Sequence, residues 1–288
     1  MRMLIPVDLT CAVACTCAMV IVLMGFTTGT SHENDQKTFD LLDKYWDSFV
    51  NDNSTKRRIF PPDTRRKIKR KKLFKFPYSA VVKISTGCTG NLISNQHVLT
   101  AAHCIHNRTQ YIKPINQIKV GFLKKNKKFR WYDVISHEMP FEFRHPKRWT
   151  VAWRYDYAVL KLSTTHRRKY FGLAGRITSR TPRIHFSGFP GDKKSNTMWR
   201  VDCTGTDFSY FLASTCDAVQ GSSGSGVYEE IIYNGETKRR IVGVLSAAVS
   251  RINTQGRKFH YNAIAKLYPR RIMSQVCRWA ESPIGCMF

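Results

Sequence analysis

Residues 99–104 read LTAAHC, residues 155–160 read YDYAVL, and residues 221–226 read GSSGSG. In chain order they supply an imidazole at His103, a carboxylate at Asp156 and a hydroxyl at Ser223. Acyl transfer at neutral pH needs these groups: a nucleophile, a base that takes its proton, and a carboxylate that orients the base. Each segment alone also fits a plain structural role, since a histidine beside a buried cysteine is often a core residue and a Gly/Ser stretch is often a turn. Their joint occurrence points to nucleophilic catalysis.

Short runs rich in β-branched and aromatic residues, separated by turn residues, fill the chain from Pro77 onward. Such runs without intervening helices predict an all-β fold. The predicted strands cover residues 79–85, 91–94, 117–122, 131–137, 157–162, 183–187, 225–230, 241–248 and 261–265. Near the end, Ile272, Val276 and Trp279 stand at helical spacing. A C-terminal helix over about residues 268–281 is therefore expected to pack on the β-body.

The composition indicates a folded and strongly cationic protein. Its 288 residues are 42% hydrophobic and 12% aromatic, enough to bury a full core, which excludes a disordered chain. There are 47 basic and 20 acidic residues, a formal charge of +27. That charge predicts attraction to polyanions, whether nucleic acid, anionic lipid or sulfated sugar. A nucleic-acid binder is not expected, because the sequence contains no helix-turn-helix, zinc-finger or aromatic RNA-binding motif.

The first thirty residues have the pattern of a secretory signal peptide. Arg2 precedes an apolar run from about Cys11 to Phe26, and small residues follow. This run is shorter than the roughly 20 residues that a membrane-spanning helix needs, although an uncleaved anchor is the alternative. Three of the nine cysteines lie in this segment, and the remaining six suit an oxidising compartment. We expect a secreted, extracellular protein with no integral membrane span after signal removal.

Residues 31–76 are expected to form a pro-segment and a basic linker. Between Lys56 and Lys75 there are eleven basic residues and one acid, Asp63. Such a charge run favours a solvated, protease-sensitive connector. The alternative is a processing site, with a cut between Arg58 and Ile59.

The segments around His103 and Asp156 resemble the histidine and aspartate motifs of chymotrypsin-fold, trypsin-like serine proteases. The GSSGSG segment, with residues 187–193 and 197–199 before it, resembles the glutamyl-endopeptidase (V8-like) branch. The resemblance is greatest to the secreted serine protease 23 group. It is carried by residues 85–90, 97–106, 183–188 and 221–228, and it runs from about Pro77 to Cys286.

This resemblance implies a serine protease domain over residues 77–288 that consists of two six-stranded antiparallel β-barrels. The first barrel would cover about residues 77–170 and the second about residues 177–267, with the active site between them. Ser223 would be the nucleophile, His103 the general base and then acid, and Asp156 the group that orients His103. The domain would need no cofactor and no metal, act on protein or peptide substrates, and be a monomer.

Glycine at position 221 suits an oxyanion hole, because its backbone N–H and that of Ser223 can approach a developing oxyanion. Asp217 stands six residues before Ser223, the spacing at which trypsin-like enzymes bind a substrate Arg or Lys; a structural role in the V8-like loop is the alternative. Ser246 matches the serine that hydrogen-bonds the catalytic aspartate and opens the substrate-binding strand, or else it is an ordinary strand serine. Glutamate specificity is not expected, because Ala218 replaces a V8-like threonine and the strand of Ser246 lacks a histidine.

The sequence also departs from the digestive proteases. Ser222 stands where they have an aspartate that pairs with the newly cut N-terminal ammonium, and a hydroxyl cannot offer that charge-assisted bond. A cut after Arg58 is therefore expected to release the leader without the usual zymogen switch. Ala247 and Ala248 replace the Trp-Gly pair that usually lines the primary pocket, which leaves the shape of that pocket open.

Covalent features follow from the cysteines and the acceptor motifs. Six cysteines allow fifteen connectivities, and sequence nearness favours Cys88 with Cys104, Cys203 with Cys216, and Cys277 with Cys286. Residues 103–106 are the nearest approach to a zinc cluster, but disulfide pairing is preferred in an oxidising compartment. Asn53 and Asn107 each begin a glycan acceptor motif.

Basic clusters recur over residues 124–130, 144–148 and 167–169. Each alone is typical of a solvated face, but together with secretion they favour binding to a heparin-like glycosaminoglycan. Two functions therefore stay open. One is a secreted serine endopeptidase that cleaves through an acyl-enzyme, with a preference for Arg or Lys if Asp217 sets it. The other is a catalytically silent polyanion-binding protein on the same scaffold.

Overall fold

The computed structural model describes residues 49–51, 58–146, 152–253 and 255–281. Several predictions fall elsewhere in the chain: the signal peptide, most of the pro-segment, Asn53, Cys286 and the basic residues at positions 147 and 148 lie outside the described residues. Within the described ranges, no helix is both long and apolar enough to cross a membrane.

Six antiparallel strands close into a first barrel, in the order β3-β4-β5-β8-β7-β6. They are β3 (Val81–Ile84), β4 (Thr89–Leu92), β5 (His97–Thr100), β6 (Lys119–Leu123), β7 (Phe129–Glu138) and β8 (Ala158–Leu162). Their inward residues form one core; Leu92, Val98 and Leu160 are among its fully buried members. Closure removes free strand edges, because every strand is paired on both sides.

The other strands form a nine-stranded sheet, whose main path runs β1-β14-β13-β10-β11-β12-β15. They are β1 (Phe49–Asn51), β2 (Arg66–Lys67), β9 (Gly172–Leu173), β10 (Arg183–Gly188), β11 (Trp199–Asp207), β12 (Phe211–Ser214), β13 (Gly226–Tyr233), β14 (Glu236–Ile252) and β15 (Lys258–Lys266). Because β14 also pairs with β15, six of these strands follow one another in a circuit. Between β10 and β13 the circuit has a single residue pair, His185 with Tyr228. The predicted all-β class is confirmed.

Helices are few among the described residues: α1 (Phe141–Arg144) and α2 (Arg270–Trp279), with 3₁₀ turns at Tyr78–Ala80, Ala102–Cys104, Ile115–Gln117 and Trp153–Tyr155. The predicted C-terminal helix is α2. It buries Ile272, Met273 and Val276 in the core of the first barrel, while Trp279 is only partly buried against it. The hydroxyl of Tyr157 donates to Gln275 Oε1 at 2.7 Å, which ties α2 to the residue next to Asp156.

The segment over residues 58–68, here called the N-terminal strap, is packed on the second sheet. Its strand β2 pairs with β11, and Ile68 N donates to Met198 O at 2.9 Å. Arg65 and Ile68 are both buried. This differs from the solvated linker that the charge predicts. The reason is local neutralisation, since Arg65 ion-pairs with Asp63 and Asp192, so its charge can be buried.

Candidate active site

The strand pairing of the first barrel brings the imidazole and the carboxylate together. His103 lies in the 3₁₀ turn that follows β5, and Asp156 comes two residues before β8 begins. Strands β5 and β8 are antiparallel neighbours, with Thr100 opposite Ala158. The end of one strand therefore lies beside the start of the other, and the two side chains meet there.

Asp156 holds His103 through both carboxylate oxygens. The backbone N–H of His103 donates to Oδ1 at 2.9 Å, and Nδ1 lies 2.7 Å from Oδ2. Asp156 is 3% exposed, whereas the His103 side chain is 32% exposed. Burial works to raise the pKa of Asp156, but the charge and hydrogen bonds of His103, together with a hydrogen bond from Ser246, hold that pKa below its usual value. An ionised Asp156 fixes the proton on Nδ1 and leaves Nε2 as the basic nitrogen.

Ser246 contacts the same carboxylate from the second sheet. Its hydroxyl donates to Asp156 Oδ2. The register between β14 and β15 shifts between Leu245 and Ala248, so Ser246 lies in a β-bulge. A bulge redirects side chains at such a position, and here it turns a strand serine toward the first barrel. Of the two readings of Ser246, the geometry is that of a serine bonded to the aspartate.

The loop that carries Ser223 is held between the two barrels. Thr89 N donates to Ser223 O at 2.8 Å, and Gly224 N donates to Leu245 O at 2.9 Å. Gly224 has φ +77°, and a Cβ there would lie 2.3 Å from Thr100 Oγ1. Only glycine fits so close to the strand that leads to His103. The loop therefore lies against both the histidine segment and the strand of Ser246.

The amides of this loop divide into two sets. Ser222, Gly224 and Ser225 donate to the backbone oxygens of Val219, Leu245 and Ser222, respectively. The amides of Gly221 and Ser223 have no hydrogen-bond acceptor among the described residues. These are the two donors expected to form an oxyanion hole.

Gly221 is fixed from three sides. It has φ +92°, and a Cβ there would lie 2.4 Å from Phe189 O and 3.0 Å from Gly191 N. Its carbonyl accepts a hydrogen bond from Thr89 Oγ1 at 2.7 Å. The turn over residues 189–192 therefore packs directly against Gly221 and leaves no room for a side chain there.

Asp217 is buried, and its carboxylate accepts hydrogen bonds from the strap. It is 1% exposed, and its Oδ1 accepts a hydrogen bond from Phe60 N at 2.6 Å. Its Oδ2 accepts hydrogen bonds from Thr64 N and Thr64 Oγ1, both at 2.6 Å. A buried carboxylate needs such donors, and the strap supplies them. Sequence reasoning missed these partners, although the one acid-and-turn stretch in the basic run, Pro61 to Thr64, could have signalled a packed turn.

The structure pairs Cys88 with Cys104 and Cys203 with Cys216, the two pairings that sequence nearness predicts. Cys277 is also disulfide-bonded, but Cys286 lies outside the described residues, so that pairing stays a prediction. One group in the described part of the chain has metal-ligating atoms within reach of one another: Cys88, His103 and Cys104. Both of its sulfurs belong to a disulfide, so they offer no thiolate to an ion.

Asn107 is exposed in the first barrel. Its Oδ1 accepts hydrogen bonds from Thr109 N, Thr109 Oγ1 and Gln110 N at 3.1, 2.7 and 2.8 Å. The acceptor motif is therefore an ordered surface turn, a setting compatible with the predicted glycan.

The fold, with the His103–Asp156 pair in the first barrel and Ser223 in a loop bonded to that barrel, is that of the predicted chymotrypsin-like class. Residues 67–208 match the family model described as trypsin. Over 250 residues the chain is 34% identical to serine protease 23 of Bos taurus, which covers 78% of this chain. Over 284 residues it is 30% identical to the protein named inactive serine protease 35 of Macaca mulatta, which covers 78% of this chain and 69% of that protein. The chain belongs to the trypsin family of serine proteases.

Two further facts concern these relatives. The chain spans 66% of the length of the Bos taurus serine protease 23 and 65% of that of Homo sapiens. Among solved structures, a Glu endopeptidase in complex with MPD is similar, with a TM-score of 0.58 and 22% identity. That similarity covers 76% of this chain and 99% of the other, and it shows the shared fold.

Proposed function

We propose that this protein is a secreted serine endopeptidase that cleaves peptide bonds through an acyl-enzyme. The observation that carries the proposal is the carboxylate of Asp156, which accepts hydrogen bonds from both His103 and Ser246 beside a loop whose Gly221 and Ser223 amides are unpaired among the described residues. This supports general-base activation of Ser223 together with stabilisation of an oxyanion.

The mechanism follows from these positions. Ser223 Oγ attacks the peptide carbonyl carbon while His103 Nε2 takes the hydroxyl proton. The carbonyl oxygen becomes an oxyanion that the Gly221 and Ser223 amides stabilise. His103 then gives the proton to the departing amine, the C–N bond breaks, and an ester on Ser223 remains. A water molecule repeats the steps, so that the carboxylic acid and free Ser223 are released. Asp156 stays ionised and stabilises the imidazolium throughout.

Steady-state hydrolysis of a peptide library tests this mechanism. The purified chain is expected to cleave library peptides, and Ser223→Ala and His103→Ala are each expected to lose nearly all of that activity. Ser225→Ala is a matched control, because this buried serine lies in the same loop and its hydroxyl has no hydrogen-bond partner among the described residues. Equal activity of the parent and Ser223→Ala chains would contradict the proposal.

The rival is a catalytically silent polyanion-binding protein on a protease scaffold. One family relative bears the name inactive serine protease 35. This chain retains His103, Asp156 and Ser223, which favours catalysis. A folded chain that binds heparin but hydrolyses no peptide would favour the rival.

The proposed preference for cleavage after Arg or Lys is supported by one residue, Asp217. A carboxylate has about four acceptor positions, and the strap fills three of them. The remaining position on Oδ1 is the one that a substrate guanidinium or ammonium would use. Preferential cleavage after Arg or Lys in the library is expected if that position faces the substrate. Cleavage without such a preference would indicate that Asp217 binds the strap and does not select the substrate.

Secretion, glycosylation and processing complete the proposal. The domains would be a signal peptide over residues 1–30, a pro-segment and linker over residues 31–76, and the protease domain over residues 77–288. A cut after Arg58 would release the leader without the usual zymogen switch, and the enzyme would act as an extracellular monomer without an integral membrane span. An exposed Asn107 and the disulfides agree with this compartment. Terminal sequencing and intact mass of the secreted protein test the cut sites and glycans.

A second candidate function, binding of a heparin-like glycosaminoglycan, is favoured by a basic groove. Three cavities of about 990, 530 and 710 Å³ adjoin one another, because they share lining residues. Arg167 and Arg168 line the first and third cavities, and Lys75 and Arg239 line the first and second. Two of the three predicted basic clusters thus meet in one groove, a shape and charge that suit an extended sulfated chain.

Heparin chromatography tests the groove. The variant Lys75→Gln/Arg167→Gln/Lys169→Gln removes three exposed groove charges and is expected to elute at lower salt than the parent. Lys113→Gln/Arg180→Gln/Lys258→Gln removes three exposed charges that line none of these three cavities, so it controls for net charge. Equal shifts of the elution salt concentration in the two variants would mean that heparin binding depends only on the net charge of the protein.

A further inference from the structure

The N-terminal strap contacts Asp217 and Ala218, which precede the Ser223 loop, through Arg58, Phe60 and Thr64. Ala218 N and Asn262 Nδ2 both donate to Arg58 O at 3.1 Å. Farther along, Phe60 and Thr64 donate to the carboxylate of Asp217, as described above. Asp217 and Ala218 lie only a few residues before Gly221, so the strap fixes the start of the segment that carries the oxyanion donors.

Arg65 makes a second connection, to the turn over residues 189–192 that packs against Gly221. Its guanidinium binds Asp192 with two parallel bonds, Nη1 to Oδ1 at 2.8 Å and Nη2 to Oδ2 at 2.6 Å. It also binds Asp63, from Nε to Oδ1 at 2.9 Å and from Nη2 to Oδ2 at 2.8 Å. The Arg65 side chain is 2% exposed. Lys193 Nζ lies 3.0 Å from Asp63 Oδ2, so two cations face two carboxylates and the cluster is neutral. Bidentate, charge-assisted contacts of this kind hold both partners in one geometry.

Asp192 transmits that constraint to Gly221. It belongs to the turn over residues 189–192, whose Gly191 N donates to Gln220 O at 2.8 Å. The same turn places Phe189 O against Gly221, too close for any side chain there. If the turn moved away, Gln220 would lose this bond and Gly221 would be free to reorient its amide.

We propose that the N-terminal strap, acting mainly through the ion pair of Arg65 with Asp192, holds the Gly221 and Ser223 amides in their catalytic arrangement within the uncut chain. Arg65 is thus a positioning residue, and the inference rests on the proposed endopeptidase function. The contacts come from side chains and backbone groups within residues 58–65, so they need no newly cut terminus. They supply an ion pair that Ser222, as a hydroxyl, cannot make.

Kinetics of two variants in the full, disulfide-bonded chain test this proposal. Arg65→Lys keeps the charge but loses the bidentate fork, and Asp192→Asn keeps the shape but loses the charge. Each is expected to lower kcat by about 100-fold, the effect of losing an oxyanion donor, and to leave KM little changed. Arg66→Lys is the matched control, because Arg66 is the exposed neighbour of Arg65 on β2, and it should keep the parent kcat. Thermal unfolding of every variant checks that it is folded.

Amide hydrogen exchange gives a readout that does not depend on catalysis. In Arg65→Lys and Asp192→Asn the peptide over residues 219–226 is expected to exchange faster than in the parent and in Arg66→Lys. Unchanged kcat together with unchanged exchange in folded Arg65→Lys would overturn the proposal. So would a raised KM at constant kcat, because that pattern indicates lost substrate binding rather than a displaced oxyanion hole.

The two proposals fail in different ways. If the parent chain hydrolyses no peptide, the endopeptidase function fails, and exchange alone then decides whether the strap orders the loop. Faster exchange over residues 219–226 in Arg65→Lys would support the ordering, and exchange equal to that of Arg66→Lys would refute it. If the parent is active and both variants match it in kcat, the endopeptidase function stands and the role of the strap is refuted.

Discussion

At Asp156 a carboxylate that is almost fully buried stays ionised because donors surround it. The His103 amide, the His103 ring and the Ser246 hydroxyl all reach it, the last from the other sheet. Hydrogen bonds to a charged group contribute more than neutral ones, and the loss of one donor leaves part of the charge unsatisfied. Ser246 therefore links the second sheet to the carboxylate that holds His103, and we expect it to be a positioning residue for His103.

Replacing Ser246 by alanine is expected to lower kcat/KM by about 10-fold to 100-fold, because one donor to the ionised Asp156 is lost. Steady-state hydrolysis measures the effect. Ser187→Ala is the control: Ser187 is also a buried strand serine, but its hydroxyl has no partner in the part of the chain that the structure describes. A Ser246→Ala enzyme as active as Ser187→Ala would show that the contact does not orient His103.

Substitution of Gly224 tests how closely the Ser223 loop packs against the first barrel. Gly224→Ala would place a Cβ 2.3 Å from both Thr100 Oγ1 and Thr89 O, at φ +77°. Gly235→Ala has nearly the same φ, +74°, but its Cβ would meet nothing within 4 Å. Denaturant unfolding is expected to show a loss of roughly 1–2 kcal/mol for Gly235→Ala and a clearly larger loss for Gly224→Ala. Equal losses would mean that the loop can move away from Thr100 without cost.

The proposed catalytic residues could be named from the sequence because their motifs are short and local. His103, Asp156 and Ser223 each lie inside a segment of about six residues whose pattern is informative by itself. The partners of Asp217 could not be predicted, because Phe60 and Thr64 are more than 150 residues away along the chain. No local pattern encodes a contact between a carboxylate and a distant backbone amide.

Strands were predicted where apolar residues alternate or cluster, and they were missed or shortened elsewhere. The strand expected over residues 241–248 is the centre of β14, which in fact runs from Glu236 to Ile252. The extension carries charged residues, and a cross-strand pair such as Arg239 Nε with Glu230 Oε1 at 2.7 Å stabilises it. Strand β11 was not predicted, because Arg200 and Asp202 interrupt its apolar pattern and ion-pair only after folding.

The ion pair of Arg65 with Asp192 is expected to make the stability of the protein depend on pH. The hydrogen bond and charge of Arg65 hold the pKa of Asp192 below its usual value of about 3.9, against a smaller effect of burial. A lowered folded-state pKa contributes stability that is fully present above the ordinary pKa and is lost as pH falls through the folded value. Asp192→Asn is therefore expected to have a lower thermal midpoint than the parent at pH 7, and this gap is expected to close as pH falls below the ordinary carboxyl pKa. A constant gap from pH 7 to pH 2 would contradict the ion pair.

The strap is also expected to protect the proposed processing site after Arg58. Because the Arg58 carbonyl is bound by Ala218 and Asn262, a basic-specific protease can cut after Arg58 only when the strap opens. Thr64→Val removes one hydrogen bond to Asp217 and is expected to speed that cut roughly tenfold, whereas exposed Thr165→Val should not. Mass spectrometry of timed digests measures the rate. Cleavage after Arg58 as fast in the folded parent as in the denatured chain would contradict this protection.

At the scale of the whole molecule, the fold class could be predicted from many short strands and one helical terminus. These patterns can be recognised without knowledge of the contacts between residues. The arrangement of charge on the surface could not be predicted from the sequence in this way. The basic groove joins residues near positions 75, 130, 168 and 239, which the sequence shows only as separate charged clusters. Charge counts predict attraction to polyanions, and only the fold shows where the charges meet.

Both barrels are needed for the proposed chemistry, because the imidazole and carboxylate belong to one and the hydroxyl loop to the other. The most direct test is intact-mass analysis and peptide mapping after treatment with a fluorophosphonate, which reacts with an activated serine. We predict one adduct per chain, on Ser223, which His103→Ala abolishes. A folded parent chain that remains unlabelled, or that is labelled equally in His103→Ala, would contradict the account.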